Sequence, residues 1–224
     1  MSIKAIIFDY DYTLGDRSTA AFHKYSDFVA QIFPKLASDS YEFDAIVYDL
    51  LQWDMHGNFD KKFVIEQFNK KYQQNFSLEA VNKWWNDDFY QYSILYPDTI
   101  PVLKLLKQEY QLGIISNGNS IGQKKKIATV GLEPYFQEIL IGGDFAGGKP
   151  QPLIFETMLA KLKVKPQEAI YVGDLFAVDV IGAARVKMHP VLINRTEKVL
   201  SNSNVIIIKD LWELYDKLKN SQII

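Results

Sequence analysis

Five short apolar runs constrain this chain more than any other feature: 5–8, 112–115, 169–172, 190–193 and 205–208. Each is aliphatic or β-branched for most of its length and closes on a polar residue or a glycine. A strand with one wet face alternates apolar and polar side chains, whereas an unbroken apolar run needs cover on both faces. Helical spacing lies between the runs. Val102, Leu105 and Leu106 fall on one face of 100–110, 153–162 repeats that period, and Pro134 and Pro166 punctuate helix ends. Strand alternating with helix predicts an α/β fold, a Rossmann-like open parallel sheet covered on both faces in three α/β/α layers.

Residues 16–96 break that rhythm. They hold no convincing strand, and helical patterns fit near 19–36, 41–55, 61–72 and 78–92. Nineteen of the 31 aromatic residues fall in this third of the chain, a shift in composition that marks a separate unit. The expected organisation is a core of 1–15 and 97–224 with an inserted helical domain at 16–96. With 25 basic and 27 acidic residues the net charge is -2, which gives no electrostatic reason to expect nucleic acid or an anionic membrane as partner. Cysteine is absent, which excludes disulfides, thiolate catalysis and zinc–thiolate sites. The N-terminal apolar run is interrupted at Lys4 and ends at Asp9, too short for a signal-peptide core. No segment approaches the roughly 18–20 apolar residues that span a bilayer. The expectation is a cytoplasmic protein, monomer or small homo-oligomer, acting on a small molecule.

In an open α/β sheet, ligands bind at the carboxyl ends of the strands. Here those ends carry Asp9 and Asp11, then Ser116-Asn117-Gly118, then Gly173-Asp174 with Asp179 five residues on. Lys149-Pro150 follows a glycine-rich loop, 142–148. Carboxylates gathered in one crevice repel one another, and a hard divalent cation with oxygen ligands relieves the repulsion. Mg²⁺ favours few carboxylates, several waters and a substrate phosphate. Ser116 and the amides around Asn117 and Gly118 can donate to phosphate oxygens, and Lys149 adds a compact positive charge. Each element alone is commonplace: D-x-D recurs by chance and Ser-Asn-Gly is an ordinary turn. Their order, with the acids and Ser116 directly after apolar strands, points to a phosphate site with a metal.

With these residues in place, the chain resembles the haloacid dehalogenase superfamily of phosphohydrolases. Asp9-Tyr10-Asp11-Tyr12-Thr13-Leu14 matches its first motif, Ser116-Asn117-Gly118 the second, Lys149-Pro150 the third, and Gly173-Asp174 through Asp179 the fourth; the segments 181–184 and 191–195 are similar to the helix and strand that follow. The helical insert sits where that family places its C1 cap. The resemblance implies a Mg²⁺-dependent phosphomonoesterase acting on a small phosphorylated metabolite, a nucleotide or sugar phosphate. Asp9 is then the nucleophile that forms an aspartyl-phosphate. Asp11 is the acid and base for the leaving oxygen and the water. Mg²⁺ is held by Asp9, the Asp11 backbone carbonyl and Asp174. Thr13, Ser116, Asn117 and Lys149 position the phosphoryl group, with Gly118 and Asp179 supporting; Asp179 orients Lys149 or a metal-bound water. Dehalogenating members lack the second acid, since a halide leaves without a proton, so Asp11 favours a phosphate ester. The alternatives are a non-catalytic phosphate- and metal-binding protein of the same fold, a phosphomutase and a 2-haloacid dehalogenase.

The insert says less. Trp53, Trp84, Trp85, Phe59, Phe63, Phe68 and Phe89 could stack on a base or sugar, but aromatics at helical spacing first build a helical core. The stretch 56–58 reads as an inter-helix turn, with a loop dipping toward the phosphate site as the second reading. Lys124-Lys125-Lys126 reads as a solvated helix face. His23 and His189 have no ligand-like spacing.

Overall fold

The computed structural model describes residues 2–57, 60–195 and 203–223. The chain divides into two compact units, Met1–Asp16 with Leu95–Ile224, and Arg17–Ile94. The first carries a six-stranded sheet in the order β3-β2-β1-β4-β5-β6. Its strands are β1 (Ala5–Phe8), β2 (Gln111–Ser116), β3 (Glu138–Ile141), β4 (Ala169–Gly173), β5 (His189–Ile193) and β6 (Ile206–Ile208). Every pairing is parallel.

Alternation along the strands explains why the runs are apolar throughout. Ile6 and Phe8 of β1 share one core with Ile114, Val172, Val191 and Ile193. That face packs on α5 (Thr99–Leu106) and α9 (Leu211–Lys219) through Leu103, Leu106, Leu211 and Leu214. Ala5 and Ile7 point the other way, with Ile115 and Tyr171, onto Phe155, Met158 and Leu159 of α7 (Pro152–Leu162) and Ala183 of α8 (Ile181–Arg185). Consecutive side chains on a strand face opposite sides, so both parities must be apolar when both faces are covered.

The strand order decides where a site forms. From β1 the chain builds outward through β2 and β3, then crosses to the other side of β1 for β4, β5 and β6. Loops leaving β1 and β4 therefore diverge and open a crevice at the carboxyl edge. β3 is absent from the apolar runs read in the sequence. It has four residues, Glu138-Ile139-Leu140-Ile141, opens on a charge and joins the sheet at its edge, so its apolar signal is too short to stand out.

The second unit holds α1 (Arg17–Ile32), α2 (Tyr41–Asp54), α3 (Lys61–Tyr72) and α4 (Leu78–Asp88). Ser40, Asp60 and Ser77 cap the last three, each side chain accepting a backbone N–H of the first turn. Its core is aromatic, as helical spacing led us to expect: Phe68, Trp85 and Phe89 are buried, and the Trp85 and Phe89 rings stack 4.3 Å apart. Trp53 and Trp84 pack against that core, Phe63 is exposed, and Phe59 lies outside the described residues. Met55–Gly57 is a turn in which His56 and Gly57 both take positive φ (59° and 83°); Asn58 is also outside the described residues. Inside this unit Asp54 accepts from Arg17 at 2.8 Å, from Lys61 and from the Tyr25 hydroxyl. The Lys61 ammonium lies 3.7 Å from the Trp85 ring centre. Burial would raise the Asp54 pKa, but Arg17 and Lys61 together hold it low, while burial brings Lys61 down to about 8.

Candidate active site

β1 runs directly into Asp9, whose N–H continues the ladder to the Val172 carbonyl of β4 at 2.8 Å. That bond sets the Asp9 carboxylate at the divergence of β1 and β4. Asp174 follows the end of β4, and Asp179 sits in the π-helical turn Phe176–Val180 just beyond. One carboxylate oxygen from each of Asp9, Asp174 and Asp179 lies within 4.8 Å of the others. Gly173 permits this: a Cβ there would stand 2.4 Å from Cγ of Asp179.

Lys149 reaches into the group. Its Nζ donates to Asp9 Oδ1 at 2.7 Å, to Asp179 Oδ1 at 2.7 Å and to the Tyr171 hydroxyl at 2.9 Å, which uses all three ammonium donors. Burial alone would lower the Lys149 pKa, but Asp179 and Asp9 raise it, so the ammonium stays charged. The carboxylates move the other way. Burial, offset in part by Lys149, raises Asp9 to about 6, and burial with repulsion from Asp9 and Asp179 raises Asp174 to about 9. One cation among three carboxylates, Asp9 and Asp179 buried and Asp174 half-buried, leaves an excess of negative charge. Hard oxygen donors that resist ionisation together are the donor set a divalent cation suits.

Asn117 acts on the backbone of this lysine. Its Nδ2 donates to the Lys149 carbonyl at 2.9 Å while its Oδ1 accepts the Lys149 N–H at 2.8 Å. A Cβ on Gly148 would meet that Oδ1 at 2.5 Å, and Gly148 also holds φ at +54°. Thus the Asn117 side chain anchors the Lys149 loop. Ser116 is buried, its Oγ accepting from Gln123 at 3.0 Å. Gly118 takes a φ of 109°. Thr13 is fully buried, and its carbonyl accepts two bonds from Arg195, at 3.0 and 2.7 Å. Through those bonds Arg195, which also stacks 3.9 Å over Tyr96, ties the loop after β1 to the end of β5.

The solvated reading of the lysine run needs correction at one position. Lys124 is exposed and pairs with Asp144, but Lys126 is buried and donates to both Asp11 oxygens, at 2.5 and 2.7 Å. Charge runs on helices usually face water, and here the helix period turns one lysine of three inward. The Asp11 carboxylate thus faces α6 (Ser120–Thr129) and is not among the three clustered carboxylates.

A family model for haloacid dehalogenase-like hydrolases matches residues 6–193. The chain belongs to that family. A glyceraldehyde 3-phosphate phosphatase of Methanopyrus kandleri is 30% identical over 86% of this chain and 84% of its own length. The enzyme of the same name from Pyrococcus furiosus is 32% identical over 84% of this chain and 80% of its own. The structure of the HAD-hydrolase YfnB from Bacillus subtilis, bound to magnesium, superposes with a TM-score of 0.79 at 19% identity, covering 97% of this chain and 99% of that one. That likeness establishes the shared fold. This haloacid dehalogenase-like protein is a hydrolase, and its relatives place it among the family's phosphatases.

Two residues of the candidate site, Tyr171 and Gln123, were not singled out from the sequence, and Lys126 was read as solvated. Tyr171 carried a signal, the one hydroxyl in an otherwise aliphatic strand. Gln123 lies three residues before Lys126 on the helix that leaves the Ser116 loop, and no local pattern marks that face as the inward one.

Proposed function

We propose that this protein is a Mg²⁺-dependent phosphomonoesterase that hydrolyses a small sugar-type phosphate ester through an aspartyl-phosphate on Asp9. The observation that carries the reading is the grouping of Asp9, Asp174 and Asp179 within 4.8 Å around Lys149. Asp9 and Asp174, with the backbone carbonyl of Asp11, would hold the cation. When bound, it offsets the carboxylate charge and that of the phosphoryl group, so an anionic ester can approach an anionic nucleophile. The two relatives named above for glyceraldehyde 3-phosphate support a short phosphorylated sugar as the substrate class.

A carboxylate oxygen of Asp9 bonds to phosphorus as the bond to the ester oxygen breaks. That oxygen keeps the electron pair and takes a proton from Asp11. Water then attacks phosphorus, gives its proton to Asp11, and Asp9 departs as a carboxylate. The sum is ester plus water to alcohol plus phosphate. Lys149 stabilises the phosphoryl oxygens, Ser116 and the amides of Asn117 and Gly118 orient them, and Asp179 with Tyr171 holds Lys149 in place. The Thr13 carbonyl, pinned by Arg195, keeps the nucleophile loop in register. In this reading the helical unit is the family's C1 cap and bears on substrate choice, and the protein works in the cytoplasm.

The test is phosphate release from a panel of sugar phosphates and nucleotides, with and without EDTA, for wild type and Asp9→Asn. Loss of activity by at least on the order of 10³-fold in the variant, together with EDTA sensitivity, is expected. Turnover that survives Asp9→Asn unchanged would refute the nucleophile assignment.

A further inference from the structure

We propose that Gln123 and Lys126 are positioning residues for Asp11, fixing from α6 the carboxylate that exchanges a proton with the leaving oxygen. This rests on the role given to Asp11 above.

The geometry is unusual for a helix with so polar a sequence. Ser120–Thr129 reads Ser-Ile-Gly-Gln-Lys-Lys-Lys-Ile-Ala-Thr, and Lys124 and Lys125 are exposed as expected. Gln123 and Lys126, three residues apart on one face, are each only 7% exposed. Lys126 Nζ approaches both oxygens of Asp11, while Gln123 Nε2 donates to Asp11 Oδ2 at 2.8 Å. The same amide nitrogen lies 3.0 Å from Ser116 Oγ and 2.8 Å from the Asn117 carbonyl. Burying an ammonium and a primary amide is unfavourable unless specific partners hold them. Here the partners are the proton-exchanging acid and the loop proposed to hold the phosphate. Gln123 therefore couples the two, so that Asp11 and the phosphate-facing amides keep one mutual geometry.

The helix itself is well placed for this. Asn119 caps it, its side chain accepting the Gly122 N–H at 3.0 Å, immediately after the Ser116–Gly118 loop. β2, that loop and α6 thus form a continuous support. Asp11 sits instead on the short loop after β1, its side chain 21% exposed. A carboxylate on such a loop has several accessible rotamers, and a misplacement of about 1 Å in a reacting group costs on the order of 10²-fold. Lys126 on both oxygens and Gln123 on one remove that freedom.

The experiment compares kcat/KM for an alkyl phosphate and for p-nitrophenyl phosphate. An alkoxide needs a proton to leave and a nitrophenolate does not. Since kcat/KM reports only the steps through departure of the alcohol, later attack by water does not enter. Lys126→Met and Gln123→Met are each expected to lower the alkyl value by about 10–100-fold and the nitrophenyl value by no more than about threefold. Lys126→Arg restores most of the alkyl activity, and Lys124→Met, on the exposed face, changes neither substrate.

An equal fall on both substrates without rescue by arginine would mean general damage and overturn the proposal. No effect, or a gain, would overturn it too, a gain meaning that Lys126 parks Asp11 away from the reaction. Asp11→Asn run alongside separates the two levels. If it lacks the leaving-group signature, the proton-donor reading falls and this one with it. If it shows the signature and neither α6 variant does, the positioning role alone is wrong.

Discussion

Replacing Lys149 by methionine tests the electrostatic logic of the site most directly. The side chain is nearly isosteric, so packing changes little, and what disappears is the cation among Asp9, Asp174 and Asp179. Lys149 is 4% exposed and contacts two carboxylates at 2.7 Å each, with Asp9 6% and Asp179 1% exposed. Removing one partner of a buried ion pair costs about 3–5 kcal/mol, because the remaining charge is left uncompensated. A domain of this size shifts by about 2–4 °C per kcal/mol, so a fall in Tm of roughly 6–20 °C is expected. The assay is thermal unfolding followed by circular dichroism without divalent cations. Adding Asp179→Asn to Lys149→Met removes one of the repelling charges, and the double variant should unfold above the sum of the single losses by about 0.5–3 kcal/mol. A Lys149→Met protein that melts within about 1 °C of wild type, or strict additivity in the double variant, would refute the claim that Lys149 offsets part of the charge of this cluster.

Two further outcomes follow from the same geometry. In the metal-free protein Asp174 is held up at about 9 and Asp9 at about 6, first by burial. A cation requires both ionised, so binding releases about one proton between those values. Mg²⁺ affinity should then rise by about tenfold per pH unit over that window. Calorimetric titration at pH 6.5 and 8.0 in buffers of different ionisation enthalpy checks this, and a flat Kd would count against it. Gly173→Ala puts a Cβ 2.4 Å from Cγ of Asp179. Overpacking of this kind costs about 1–3 kcal/mol, and because Asp179 carries Lys149, kcat should fall at least about tenfold. A variant with wild-type turnover and stability would show that Asp179 can move without consequence.

The site was legible to different depths at different positions. Asp9, Lys149, Asp174 and Asp179 converge because each lies just past a strand or on a loop at the carboxyl edge of the sheet. Apolar runs ending in acids reveal that placement without coordinates. Asn117 was legible as a residue of the site but not in its contacts, since nothing local signals that its amide is taken up by the Lys149 backbone 32 residues away. Lys126 was misread as solvated, because a run of three lysines carries no mark of which one meets an acid 115 positions earlier.

By itself the sequence determined that this chain builds a parallel sheet buried on both faces, with carboxylates at the ends of β1 and β4 and an aromatic-rich helical insert. Those properties are local: they follow from the period of apolar residues and from what interrupts it. Tertiary structure alone decided that Glu138–Ile141 completes the sheet edge, that Tyr171 joins Asp179 in gripping Lys149, and that α6 turns Gln123 and Lys126 onto Asp11. Each depends on which distant groups share a buried space. Periodicity specifies that a side chain is buried, and only the folded chain specifies its partner.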